Sequence, residues 1–124
     1  MTNDRFKFRF YDNVNKRYVP YRMLIDNEGD ICSEDGRRYC NGEHQEDFTI
    51  EKSTGLKDKT GKLIYDGDVL RFFALYKGQT FAVKWNAYMC LFHLWDIDKG
   101  GSAVLGAGIE HCAEIIGNIH EAGK

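Results

Sequence analysis

The amino-acid sequence predicts an all-β protein in which N-terminal antiparallel hairpins pack with a small SH3-like β-barrel in the C-terminal part. Three observations carry this prediction. Residues 5–10 alternate strictly between charged and apolar side chains, which is the period of a half-buried strand. Short apolar runs separated by turn residues recur from Val69 to His120. No segment has the 3.6-residue apolar period of an amphipathic helix.

The first strands are expected close to the start of the chain. Residues 5–10 place their three phenylalanines on one face of a strand and their three cations on the other. Asp12 to Asn15 has the composition of a turn, and an extended run follows over residues 18–25. Pro20 lacks a backbone donor, so we expect it at a sheet edge or a bulge.

A further hairpin is expected between Asn27 and Cys40. Asn27 to Asp30 turns the chain, and residues 31–32 and 38–40 flank an Asp-Gly step that is typical of a hairpin turn. Residues 47–51 alternate again and predict a short strand.

The segment from Thr54 to Leu70 predicts two turns that deliver the chain into a barrel strand. Asp58 to Gly61 forms the first turn, in which Gly61 supplies a positive φ angle. Asp66 to Asp68 forms the second turn. Asp side chains in such turns accept backbone hydrogen bonds, and this role accounts for them better than acid–base catalysis does.

The remaining chain predicts a meander and a closing strand. Strands are expected over residues 69–73, 81–85 and 89–95, with Trp85 and Trp95 in the core because of their residue type. Residues 96–108 are glycine-rich and predict a loop. Residues 113–120 predict the closing strand, in which Gly117 marks a bulge.

Length and composition bound the organisation of the protein. A chain of 124 residues supports one ordinary core, and we expect a single cooperative unit made of an N-terminal hairpin region (1–52) and a C-terminal barrel region (53–124). The formal net charge of −2 excludes a basic field over the whole chain. No apolar run is long enough to span a bilayer, and the N-terminus lacks the apolar stretch of a signal peptide, so we expect a cytosolic protein without a membrane partner.

A family resemblance rests on the run from Thr54 to Asp68, on the block from Glu114 to Glu121, and on the opening Lys7 to Asp12. Together these segments resemble the YopX family. The resemblance implies a phage or prophage origin and a mostly β fold with a barrel-like C-terminal part, and it implies no catalytic residue. The residues that match the family motif are Thr54, Gly55, Asp58, Gly61, Ile64, Tyr65, Gly67, Asp68, Gly117 and Asn118.

Two sequence patterns resemble sites for a cofactor or a metal. Residues 55–62 resemble a P-loop, but the glycine spacing is wrong and Leu63 replaces the hydroxyl residue that would meet Mg²⁺, so both glycines are assigned to turns. Two cysteines and two histidines could form a zinc site, but residues separated by an odd number of positions on a strand face opposite ways. These residues are Cys90, His93, His111 and Cys112. We therefore expect no catalytic residue, no cofactor and no metal.

The sequence favours a non-enzymatic binding module in the bacterial cytoplasm. The alternative is a nucleic-acid-binding accessory protein that uses the basic face of the N-terminal strand, formed by Arg5, Lys7, Arg9 and Tyr11. A metal-dependent enzyme built on the Cys and His residues is the least favoured hypothesis. The partner is accordingly an unidentified protein or nucleic acid, and exposed sheet edges also allow a homo-oligomer.

Overall fold

The computed structural model describes residues 6–20, 23–25, 30–33, 45–73, 79–98, 100–106 and 109–121. Within these ranges the protein is mainly β with antiparallel sheets, which confirms the predicted all-β class. The SH3-like barrel stays a prediction. Short 3₁₀ turns occur at Gln45–Asp47 and Ile109–His111, and no helix of the described ranges is long and apolar enough to cross a membrane. The strands are β1 (Phe8–Asp12), β2 (Arg17–Tyr18), β3 (Met23–Ile25), β4 (Ile31–Ser33), β5 (Phe48–Lys57), β6 (Leu63–Tyr65), β7 (Asp68–Phe72), β8 (Thr80–Asn86), β9 (Leu91–Asp96), β10 (Ser102–Val104) and β11 (Ala113–Asn118).

The chain divides into two compact units. One unit is Arg9–Glu51, and the other is Lys52–Lys124 together with the chain up to Phe8. The boundary between Glu51 and Lys52 falls inside β5. Whether the two units unfold as one cooperative body stays a prediction.

The 9–51 unit is built on the order β2-β1-β5 and on the separate pair β3-β4. The predicted turn after β1 is confirmed: Oδ1 of Asp12 accepts hydrogen bonds from the Val14 and Asn15 amides at 2.9 and 3.0 Å. The backbone and side-chain bonds from Asn15 hold the pKa of Asp12 below its ordinary value. The buried core consists of Phe10, Met23, Ile31 and Phe48.

The alternating residues 5–10 do not form one half-buried strand. β1 begins only at Phe8, because Phe6 lies in a 3₁₀ conformation before the strand. Phe6 and Phe8 are exposed, and only Phe10 of the three phenylalanines is buried. Arg5, the turn at residues 27–29 and the second arm of the predicted hairpin at 38–40 lie outside the described residues.

The 52–124 unit contains a five-stranded antiparallel sheet in the order β10-β9-β8-β7-β11. Inward-facing side chains of this sheet join Ile64 of β6 in one buried core, as period-2 alternation requires. The fully or largely buried members are Ile64, Leu70, Phe72, Phe81, Val83, Leu94, Ile109 and Ala113.

Two boundaries in this sheet differ from the prediction. β9 starts at Leu91, because Oδ1 of Asn86 caps the amides of Tyr88 and Met89 and holds residues 87–90 in a turn. The predicted loop after Trp95 contains β10, which pairs with β9. Pairing with β9 therefore stabilises a separate strand within a glycine-rich segment that has little strand propensity of its own.

Candidate functional site

The first motif turn, residues 58–62, is organised by the buried carboxylate of Asp58. Its Oδ1 accepts hydrogen bonds from the Thr60 amide at 2.9 Å, the Thr60 hydroxyl at 2.7 Å and the Lys62 amide at 3.0 Å. Gly61 has a φ angle of 92°, so the predicted positive φ is confirmed. We call residues 58–62 the Asp58 turn.

The Asp58 turn also covers the outer edge of β11. Oδ2 of Asp58 accepts the Ile115 amide at 3.0 Å, and the Lys59 amide donates to the Ala113 carbonyl at 2.9 Å. Burial alone would raise the pKa of Asp58, but hydrogen bonds from Ile115, Thr60 and Lys62 outweigh it and hold that pKa below the ordinary value. Asp58 is therefore an ionised structural group, and both of its carboxylate oxygens accept hydrogen bonds.

The second motif turn, at residues 65–68, is also organised by a buried aspartate that accepts a backbone amide. Oδ2 of the buried Asp68 accepts the Tyr65 amide at 2.8 Å. Gly67 has a φ angle of 93°, its amide donates to the Val83 carbonyl, and its carbonyl accepts the Ile119 amide. A single glycine thus joins the turn to β8 and to the residue that follows β11, and the second predicted turn is confirmed.

The beginning of the motif lies in a strand and not in a turn. Thr54 and Gly55 belong to β5, where the register shifts between Ser53 and Lys57 and Gly55 has a φ angle of 82°. Oγ1 of Thr54 lies 2.8 Å from the Ile64 carbonyl oxygen, to which it donates a hydrogen bond. The assignment of Gly55 to a tight turn is therefore wrong, because the irregularity is a bulge within a paired strand.

The end of the motif shapes β11. The register against β7 shifts between Ile115 and Gly117, which confirms the predicted bulge. A Cβ atom at Gly117 would meet only the flexible carboxylate end of Glu121. Oδ1 of Asn118 accepts the His120 amide at 2.9 Å and closes the turn after the strand.

The basic N-terminal face has a different arrangement from that expected. Nε of Arg9 lies 2.7 Å from Oε1 of the buried Glu51, which also accepts the Tyr18 hydroxyl at 2.9 Å. Tyr11 is 8% exposed and its ring packs edge-on against Tyr18. Lys7 is exposed, but a base cannot stack on the Tyr11 ring without rearrangement of this cluster.

The Cys and His residues do not converge in the described part of the chain. Cys90 lies in the 87–90 turn with a φ angle of 53°, and not on the same strand as His93. No group of three or more His, Cys, Asp or Glu side chains in the described ranges is placed to hold a metal ion. The side chain of Cys32, and Cys40, lie outside what the structure describes.

Several aromatic side chains of the five-stranded sheet and its turns are exposed, which corrects the placement of both tryptophans in the core. Trp85 and Trp95 were expected in the core, yet they are 46% and 39% exposed. Trp85 is at the end of β8, next to the 87–90 turn, where few neighbours remain to cover it. Asn86 is a residue type that favours turns, so the sequence places Trp85 at the end of a strand. This position was the signal that could have predicted an exposed Trp85 side chain.

The aromatic tip is the set Trp85, Tyr88, Met89 and Phe92 at the end of the β8–β9 hairpin. Trp85 and Phe92 are opposite in register and their rings meet edge-on at 5.1 Å between centroids. Nζ of Lys52 lies 5.9 Å from the Trp85 ring centroid. Tyr88 and Met89 are exposed in the turn. The tip is an apolar surface with a cation at its side.

These features define a small, mainly β protein whose motif residues build turns, a bulge and strand edges. The model of the YopX protein family matches residues 7–124, and the chain belongs to that family. No curated protein matches the chain.

Two solved structures have a similar fold. The crystal structure of protein EF1440 from Enterococcus faecalis is 20% identical, covers 93% of each chain and has a TM-score of 0.61. The X-ray structure of protein yopX from Bacillus subtilis is 17% identical, covers 91% of each chain and has a TM-score of 0.54. At these identities the likeness establishes the fold alone.

Proposed function

We propose that this YopX-family chain is a phage- or prophage-derived protein that acts in the bacterial cytoplasm as a non-enzymatic interaction module. The observation that carries the proposal is the aromatic tip, where Trp85, Tyr88 and Met89 remain exposed. The phage origin is supported by the family resemblance. A non-enzymatic role is supported by the hydrogen bonds of the motif aspartates. Asp58 accepts the Ile115 amide, and Asp68 accepts the Tyr65 amide.

The composition of the aromatic tip favours a protein partner. Trp, Tyr and Met are enriched in the buried centres of protein interfaces, and Trp and Tyr dominate their hot spots. The edge-on contact with Phe92 restrains Trp85 before binding, which lowers the entropy cost of association. Lys52 beside the indole adds a preference for an acidic group at the rim of the partner.

The proposal is tested with Trp85→Ala/Tyr88→Ala in the full-length protein. The partner captured from a bacterial host extract is identified, purified and titrated by calorimetry. Hot-spot truncation costs about 2 kcal/mol or more, so we expect the dissociation constant to rise at least roughly thirtyfold. Circular dichroism verifies that the variant is folded.

Trp95→Ala is the matched control, because it removes an exposed tryptophan from the same sheet but outside the aromatic tip. The control is expected to bind like the parent protein. Equal affinity of the tip variant and the parent would contradict the proposal. A gel shift with single- and double-stranded nucleic acid at low salt supplies a further check, since nucleic-acid binding that depends on Trp85 would replace the protein partner.

A further inference from the structure

One side of the five-stranded sheet faces away from the buried core of the 52–124 unit. Leu94 of β9 belongs to that core, so its strand neighbours His93 and Trp95 project to the opposite side. Lys84 of β8 lies opposite His93 in register and projects the same way. Arg71 of β7 also does so, because both of its strand neighbours belong to the core. We call the surface formed by Arg71, Lys84, His93 and Trp95 the outer face.

Trp95 presents part of its indole ring on the outer face, where the side chain is 39% exposed. Its partners in register on the two neighbouring strands are the small residues Ala82 and Ser102, so the ring stands above its surroundings. A Cβ atom built on Gly100 would lie 3.9 Å from Cζ2 of Trp95, which places the edge of the indole against this glycine. Trp95 is therefore an accessible ring whose position is restrained before a ligand binds.

A second ring lies beside the indole. The ring centroids of His93 and Trp95 are 6.5 Å apart, and the two ring planes are inclined by 37°. The rings thus lie next to each other along β9, and His93 is half-buried. Neighbouring aromatic side chains on a sheet surface provide stacking positions for successive bases of a single strand, and such stacking accepts any base because every base has a π face.

The charges of the outer face complement a phosphate backbone close to the two rings. Lys84 is exposed and is the diagonal neighbour of Trp95, at about 7–8 Å between Cα atoms in such a ladder. Arg71 adds a second exposed cation on β7. Glu114 of β11 lies opposite Arg71, but it is three strands away from Trp95, or about 14 Å at the usual strand spacing. The surface beside Trp95 is therefore cationic, although the net charge of the chain is −2.

We propose that the outer face binds single-stranded DNA, with bases stacked on Trp95 and His93 and a phosphate group held by Lys84. Unpaired bases are required, because the bases of a duplex are already stacked on one another. Neither stacking nor an ammonium group needs a 2′-hydroxyl, and the Ala82 side chain beside Trp95 has no donor or acceptor to recognise one, so DNA is the assigned strand. This site goes beyond the proposed function. It is separate from the aromatic tip, because Trp85 alternates with Lys84 along β8 and projects to the other side of the sheet.

The probe is a fluorescein-labelled oligothymidylate of about twelve nucleotides, which is within the range that single-strand-binding β folds cover. Fluorescence anisotropy of the full-length protein at low salt is expected to show saturable binding of the oligothymidylate and weaker binding of a duplex of the same length. Trp95→Leu keeps an apolar side chain and removes the ring, so we expect its affinity to fall by roughly five- to a hundredfold. Trp95→Phe keeps a ring and should retain most of the affinity. Trp85→Leu is the matched control on the other side of the sheet and is expected to bind the DNA like the parent.

Lys84→Gln tests the phosphate contact independently of the ring. Loss of one contact to a single strand is expected to reduce the slope of log affinity against log salt concentration by about 0.7. Lys62→Gln is the matched control, because it removes an equal charge from an exposed lysine of the Asp58 turn. Its slope should equal that of the parent.

Several results would overturn the proposal. One is equal affinity of Trp95→Leu and the parent, in proteins that share the parent's dispersed NMR spectrum. Another is the absence of saturable binding at low salt up to about 100 µM protein, the weak end of non-specific binding. Tighter binding of the duplex or of an oligouridylate of the same length would contradict the assignment to single-stranded DNA. DNA binding lost in Trp85→Leu and kept in Trp95→Leu would move the DNA to the aromatic tip. The proposed function is tested with a captured protein and not with this probe, so either proposal can fail alone.

Discussion

At the scale of single residues, Asp58 shows why a buried acid in this protein is structural. Its two oxygens accept bonds from the Asp58 turn and from β11, so both sides of the carboxylate are used. A buried charge is tolerated only with such partners. Glu51 has the same character in the 9–51 unit, where it accepts bonds from Arg9 and Tyr18.

Asp58→Asn is expected to lower the free energy of unfolding by about 1–3 kcal/mol, the cost of leaving a buried group without its partner. The amide oxygen can replace Oδ1 in the Asp58 turn, but the amide NH₂ then faces the Ile115 amide, and two donors cannot bond to each other. Urea unfolding near neutral pH measures the change. Asp98→Asn, at an exposed aspartate, is the matched control and should be near neutral.

The contribution of Asp58 is also expected to depend on pH. Its pKa is lower in the folded state than the ordinary value of 3.8, so the stabilisation is fully present above that value. It is lost as pH falls through the lower pKa of the folded state. The difference between parent and Asp58→Asn should therefore narrow in acid. A difference that stays constant or widens on acidification would refute this account.

At the scale of elements, the turns depend on glycines that adopt positive φ angles. Gly61 and Gly67 have φ angles of 92° and 93°, where an L side chain is strained. Gly61 is the better position at which to measure backbone strain, because a Cβ atom there would meet nothing within 4 Å. Any cost of a substitution at Gly61 thus reports backbone strain without a steric clash.

Gly61→Ala is expected to destabilise the protein by about 1–2 kcal/mol through that strain. Gly106→Ala is the matched control, since its added Cβ is equally uncrowded and its φ angle is not positive. It should be neutral, or stabilising by roughly 0.4–1 kcal/mol, through the lower entropy of the unfolded chain. Thermal unfolding of both variants makes the comparison. Similar midpoints for the two would show that the positive φ angle carries no cost.

At the scale of the whole molecule, each unit has its own buried core. Phe10, Met23, Ile31 and Phe48 form the core of the 9–51 unit, and a larger cluster around Leu70 and Val83 forms that of the 52–124 unit. A unit of roughly 40 residues is near the lower limit for independent folding without staples. The smaller unit is thus expected to depend on the larger one.

We therefore predict one cooperative unfolding transition for the full chain. The two tryptophans, Trp85 and Trp95, both lie in the 52–124 unit, so their fluorescence reports on that unit. The methyl signal of the buried Met23 reports on the 9–51 unit. Both probes should give the same urea midpoint. An earlier midpoint for Met23 would establish two independently unfolding units.

Much of the fold was predictable from local chemistry. The turns around Asp12, Gly61 and Gly67 and the bulge near Gly117 occur where the sequence predicts them, because Asp and Gly act on backbone groups within a few residues. Strand boundaries were less predictable. β10 formed in a glycine-rich segment because pairing with β9 determined it.

The sequence by itself determined the family, the mainly β class and the principal turns of this protein, since these depend on residue order and local backbone preference. Only the tertiary structure decided that Arg9 pairs with Glu51, that Asp58 reaches Ile115, and that Trp85 and Trp95 are exposed. Partner choice and solvent exposure depend on segments brought together from distant positions. The basic N-terminal face was inferred from local alternation and the buried tryptophans from residue type, and neither carries information about those distant neighbours.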